Sequence, residues 1–135
     1  MRLLSQHPYY GFRISARDLA RFGLLFLQEG EWRGQEATSQ VIPTGWVEQS
    51  TRSYSQTGKS DTYRGYGYMW WIAAKDHRDI IKGAHSASGY GGHTLEVLPD
   101  LDTVIVFRVN TDDPDYQPIQ DQDGLVLRIL EARNR

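Results

Sequence analysis

Residues 89–110 read GYGGHTLEVLPDLDTVIVFRVN, and their alternation sets the centre of the fold. In an extended chain His93, Leu95 and Val97 share one face, while Thr94, Glu96 and Leu98 share the other. Pro99 to Asp102 carries turn chemistry, after which Thr103 to Val109 returns as an apolar, β-branched run. Two antiparallel strands are predicted, the second of them centrally buried. The glycines ahead of the first strand admit two readings. They mark either a β-bulge or tight turn, or a backbone that lies close to a ligand and offers N–H groups to an oxyanion.

Working outward, Gly65 to Ile72 alternates as a further strand, with Tyr66, Tyr68, Trp70 and Ile72 on one face and Gly67, Met69 and Trp71 on the other. Residues 50–65, rich in Ser, Thr and Gly, read as loop. The segment VIPTGWVEQST (41–51) suits a short helix with Pro43 in its first turn and Trp46 and Val47 along it. Residues 14–30 predict an amphipathic helix. Ser15 is its N-cap, Asp18 follows three residues on, Ile14 staples onto Leu19, and Gly30 stops it. Leu19, Phe22, Leu25 and Phe26 form its apolar face. Gly23 interrupts that helix at a cost of about 1 kcal/mol, which implies close approach by another backbone. Downstream, residues 111–120 are a polar loop whose Asp112, Asp113 and Asp115 form a solvated turn. Asp121 or Asp123 then caps a last helix with Leu125, Val126, Ile129 and Leu130 as its stripe. The order predicts an α+β fold: an antiparallel sheet of three or more strands, the C-terminal helix on one face and the N-terminal helices on the other.

Composition narrows the function. The chain has 135 residues, 39% of them hydrophobic, which suits a single unit over 1–135 with its own core. With 15 Lys and Arg against 17 Asp and Glu and no long run of one sign, neither nucleic acid nor an anionic membrane is an expected partner. The absence of cysteine excludes disulfides, thiolate zinc and a cysteine nucleophile. The apolar stretches Leu24–Leu27 and Thr103–Val109 fall far short of the roughly 20 residues of a membrane span. MRLLSQHPYYG at the start has neither an extended apolar region nor a small-residue cleavage site, so the compartment stays open.

Hydrolytic and metal motifs can be checked by spacing. Ser-x-x-Lys is absent, because Lys59, Lys75 and Lys82 follow Gln56, Ile72 and Asp79 at that distance. Gly-x-Ser-x-Gly fails at Ser60, where Thr62 fills the far position. His77, His85 and His93 lie eight residues apart, which does not suit a zincin helix, and no metal or cofactor is expected. Asp121 and Asp123 before Gly124 look like part of a calcium loop, but Ile119 and Leu130 fill its first and twelfth ligand positions. Trp70 and Trp71 admit an aromatic pocket or core packing, and with Tyr66 and Tyr68 they raise a third idea, a carbohydrate platform.

Four stretches taken in order resemble one family: ISARDLARFGLLFLQEGEWRGQ, VIPTGWVEQST, YGYMWWI and SASGYGGHTLEVLPDLDTVIVFRVN. Over roughly residues 11–111 the chain is similar to the C-terminal part of serine β-lactamase-like hydrolases. That group includes class C β-lactamases, DD-peptidases, family VIII esterases and 6-aminohexanoate-dimer hydrolase, and the chain most resembles the last branch. The resemblance implies a partial β-lactamase/transpeptidase-like fold and a C-terminal segment of a larger hydrolase domain. The family's Ser-x-x-Lys and Tyr-x-Asn motifs would lie upstream.

The family's third motif, Lys-Thr-Gly or His-x-Gly, corresponds to Ala87, Ser88 and Gly89, or begins at His85 if the alignment slips by two. With Ala87 leading, the charged group that many members offer a substrate carboxylate is missing, which favours ester or amide hydrolysis over β-lactam hydrolysis. The same carry-over makes the backbone N–H of Tyr90 one of two oxyanion donors, with Gly91 and His93 beside it as substrate-binding positions. The expected partner is therefore a small-molecule ester or amide, and the isolated chain is expected to be inactive. The alternative is a non-catalytic binding or assembly module. In either case open sheet edges would pair with the upstream segment or with a second copy.

Overall fold

The computed structural model describes residues 13–58, 62–74, 81–119 and 121–133. Helix α1 (Ala16–Leu27) leads into a small hairpin of β1 (Glu31–Arg33) and β2 (Thr38–Gln40), then helix α2 (Trp46–Ser50). Six strands follow: β3 (Ser55–Gln56), β4 (Tyr63–Tyr66), β5 (Trp71–Ala73), β6 (His85–Ser88), β7 (Thr94–Leu98) and β8 (Thr103–Phe107). They form one antiparallel sheet in sequence order, and helix α3 (Gln122–Arg133) closes the chain.

The alternation of β7 decides the layering. Leu95 and Val97 join Phe26 of α1, Val47 of α2 and Trp70 in one core, while Leu98 joins Val126 and Leu130 of α3, with Ile81 and Ala84, in another. The sheet is thus covered by α1 on one face and α3 on the other, the expected α+β arrangement. All five β7 residues are buried, as strands with cover on both faces must be.

Central burial of the second strand does not hold. β8 lies at the margin of the sheet among the described residues, and each of its positions is only half-buried. A β-branched run fits a pleated surface wherever it sits in the sheet, so composition alone does not separate an edge from a centre.

Helix α1 follows its local signals. The Ser15 hydroxyl accepts from Asp18 N–H at 3.1 Å, and Gly30 turns left-handed at φ +83°, donating to Leu25 O at 2.8 Å. Gly23 is explained by close packing, though by side chains and not by a second backbone. A Cβ there would stand 2.6 Å from Leu95 Cδ1 and 2.7 Å from Val104 Cγ1. Gly23→Ala would gain about 1 kcal/mol of helix propensity but add volume where overpacking costs about 1–3 kcal/mol. Since Val104 is stiff, a net loss of about 1 kcal/mol is expected, read as a lower urea midpoint with an unchanged m-value.

The strand expected over residues 65–72 is in fact two strands joined by a hairpin. β4 ends at Tyr66, Met69 adopts φ +65°, and β5 begins at Trp71. The reversal is fixed from outside: Tyr68 N–H donates to Ser50 O at 2.8 Å, and a Cβ on Gly67 would strike the Ser50 and Arg52 carbonyls. The expected loop over 50–65 likewise contains β3 and most of β4. At the far end Asp121 caps α3, accepting from Gly124 N–H at 2.8 Å. Val126 and Leu130 are buried, but Ile129 remains 40% exposed.

Candidate active site

Strand β6 delivers the glycine cluster. Its ladder with β7 ends at the pair Ser88 and Thr94, and Gly89 N–H closes the connection on His93 O at 3.0 Å. Between them Gly92 N–H donates to Gly89 O at 3.3 Å, and Gly91 sits at φ +85°, ψ −1°. Tyr90 is not among the residues with positive φ, and residues 89–92 make a β-turn with Tyr90 and Gly91 at its corners. Glycine is required at the second corner. Of the two readings of the cluster, a tight turn is thus present, and it does not remove the other.

Turn geometry sets the direction of the Tyr90 amide. In a trans peptide C=O and N–H are opposed, and Gly89 O points into the turn toward Gly92. The Tyr90 N–H therefore points out of the turn, beyond the last ladder pair. Among the described residues no acceptor is bonded to it. Its side chain is 95% exposed.

The remaining sequence-derived positions divide. Gly89, Tyr90, Gly91 and His93 gather around this turn, where a Cβ on Gly91 would lie 3.6 Å from His93 Nε2. His93 Nδ1 accepts Val109 N–H at 3.3 Å, which leaves its proton on Nε2. Burial, with Arg108 nearby, holds its basicity below the usual value. Ser88 faces α3 and donates to Gln122 Oε1 at 3.2 Å. Ala87 packs against the α1-side core.

His85 is buried on that same α1 side, 4% exposed, with its ring edge-on to Trp70 at 4.9 Å and near Phe26. Burial depresses its pKa to about 4, only partly offset by the bond of Nδ1 to Gly83 O at 3.2 Å. The imidazole is neutral at pH 7 and turned into the core. Trp70 is also buried, at 4% exposure, and so cannot belong to an exposed carbohydrate platform.

Two features escaped sequence reasoning. Tyr116 OH donates to Gly91 O across 25 residues, and Gln122 reaches Ser88 across 34. Neither contact leaves a local signature. On the α3 face, buried Glu96 accepts Ser86 Oγ–H at 2.8 Å and the Tyr63 phenol, tying β4, β6 and β7 together. Burial and the carboxylate hold the Tyr63 phenol far above the usual range. Among the described residues no three His, Asp or Glu side chains converge as metal ligands.

With this geometry in view, two comparisons bear on the chain. A family model described as Beta-lactamase matches residues 2–127. The 6-aminohexanoate-dimer hydrolase of Paenarthrobacter ureafaciens is 30% identical over 130 residues, covering 90% of this chain and 31% of that protein. The chain thus spans about a third of the length of that curated relative.

Proposed function

The chain belongs to the Beta-lactamase family, and from that premise we propose that it is the C-terminal part of a serine hydrolase acting on small esters or amides through an acyl-enzyme. The observation that carries this reading is the Tyr90 N–H, held outward at the end of β6 by a β-turn and bonded to no acceptor among the described residues. In the proposed reaction a serine of an upstream Ser-x-x-Lys segment attacks the substrate carbonyl. The carbonyl oxygen gathers negative charge between Tyr90 N–H and the serine's own N–H. Collapse of the tetrahedral species expels the alcohol or amine, which takes up a proton, and water then releases the acid.

Substrate class follows from what the chain lacks. Ala87 carries no charge and His85 is neutral and buried, so neither meets a substrate carboxylate with a cation. The curated relative is named for hydrolysis of a 6-aminohexanoate dimer, and only its general class, amide hydrolysis, is carried over. The upstream segment is proposed to dock on the margin of β8, which pairs with no further strand among the described residues. Its apolar, half-buried residues form an edge that natural sheets seldom leave bare.

That same margin favours a second reading, an assembly module in which two copies pair edge to edge. One experiment separates the two. The coding sequence upstream of Met1 is read and the joined protein expressed; it and the 135-residue chain are then treated with a fluorophosphonate. Labelling of the joined protein at its Ser-x-x-Lys serine, with the shorter chain unlabelled, is expected. Labelling of the shorter chain alone, or an upstream sequence with no such serine, overturns the hydrolase reading. In the latter case a dimeric chain in sedimentation supports assembly.

A further inference from the structure

We propose that Tyr116 is a positioning residue for the oxyanion turn, standing at the head of a hydrogen-bonded relay that ends on the Tyr90 amide; this rests on the hydrolase reading above. The relay runs through two peptide planes. Tyr116 OH donates to Gly91 O, and the other end of that peptide, Gly92 N–H, donates to Gly89 O at 3.3 Å. Gly89 O belongs in turn to the peptide whose opposite end is Tyr90 N–H. Each acceptor carbonyl is therefore the far end of the next donor. Hydrogen bonds chained in this way polarise one another, by about 10–30% for each bond.

The phenol is itself held in place. Residues 110–116 form consecutive Asx turns, with Asp112 N–H on Asn110 Oδ1 at 3.2 Å and Asp115 N–H on Asp113 Oδ1 at 2.9 Å. Tyr116 N–H donates to Asp113 O at 3.1 Å, which plants the residue at the end of this self-bonded loop. The loop is pressed onto the glycine turn so closely that a Cβ on Gly91 would lie 2.5 Å from Thr111 Cγ2. The acidic cluster of this loop thus gains a role, the placement of a donor opposite Gly91. The arrangement orients and strengthens the Tyr90 dipole without touching substrate.

The test uses Tyr116→Phe in two settings. In the isotopically labelled 135-residue chain, the amide protons of Gly92 and Tyr90 should both move upfield, while those of Leu95 and Val97 in the middle of β7 stay fixed. In the joined protein, kcat on a 4-nitrophenyl ester should fall about 3- to 10-fold with KM unchanged, less than loss of an oxyanion donor itself would cause. Unmoved Gly92 and Tyr90 resonances overturn the relay. So does an unchanged kcat in a protein that Tyr90→Pro inactivates. If Tyr90→Pro leaves activity intact, the oxyanion assignment has failed instead, and the resonances alone decide the relay. Should Tyr116→Phe fail to fold, 3-fluorotyrosine placed at position 116 provides a second arm. Its more acidic phenol should shift both amides downfield, and an absence of that shift overturns the proposal.

Discussion

Tyr90→Pro is expected to lower kcat of the joined protein by about 10²–10³, the cost of removing one oxyanion donor in other enzymes. The substitution suits the question because the fold tolerates it. Tyr90 occupies the first corner of a β-turn without a positive φ, where proline's fixed φ is favoured. The preceding Gly89 is extended at φ −123°, ψ 179°, the backbone that a following proline requires. No hydrogen bond among the described residues is lost with the Tyr90 N–H, so stability should be nearly unchanged while the donor disappears. Tyr90→Phe keeps the amide and alters only a side chain that is 95% exposed, and its kcat should stay within about twofold of the parent. Steady-state kinetics on a 4-nitrophenyl ester, together with matched urea midpoints, form the measurement. Equal activity in the two variants would place the oxyanion elsewhere.

How much of this was legible in the sequence depended on whether each feature is set locally. The start of α1 was, because Ser15 and Asp18 lie in contact range by spacing alone, and so was the hairpin of β7 and β8, where alternation and Pro99 to Asp102 agree. The reversal at residues 67–70 was not. Its sequence alternates like a single strand, and what bends it is the carbonyl of Ser50, presented by α2. The position of β8 in the sheet was also hidden, since its neighbours depend on the rest of the chain. At the site, the glycines announced a turn but not its type, and Tyr116 reaches it only because the loop from Asn110 folds back. His85 shows the same limit from the other side. A histidine two residues before Ala87 suggests a charged group for substrate, and the aromatic cage that makes it neutral comes from α1 and from Trp70.

That cage yields the second large effect, a loss of stability of about 3 kcal/mol as pH falls from about 7.5 to below 4. The imidazole has an ordinary pKa of 6.5 in the unfolded chain and about 4 in the folded one, chiefly because burial penalises the cation. Between those values the unfolded chain binds a proton that the folded chain refuses, so stability rises with pH across the interval. It is fully present above pH 6.5, declines as pH drops through the window, and levels off once both states are protonated. His93, also depressed, acts in the same direction, and His85→Leu isolates the buried ring. Urea unfolding at pH 7.5, 5.5 and 4 should show a steep decline in the parent and a much shallower one in the variant. An equally steep decline in His85→Leu would show that the proton goes elsewhere.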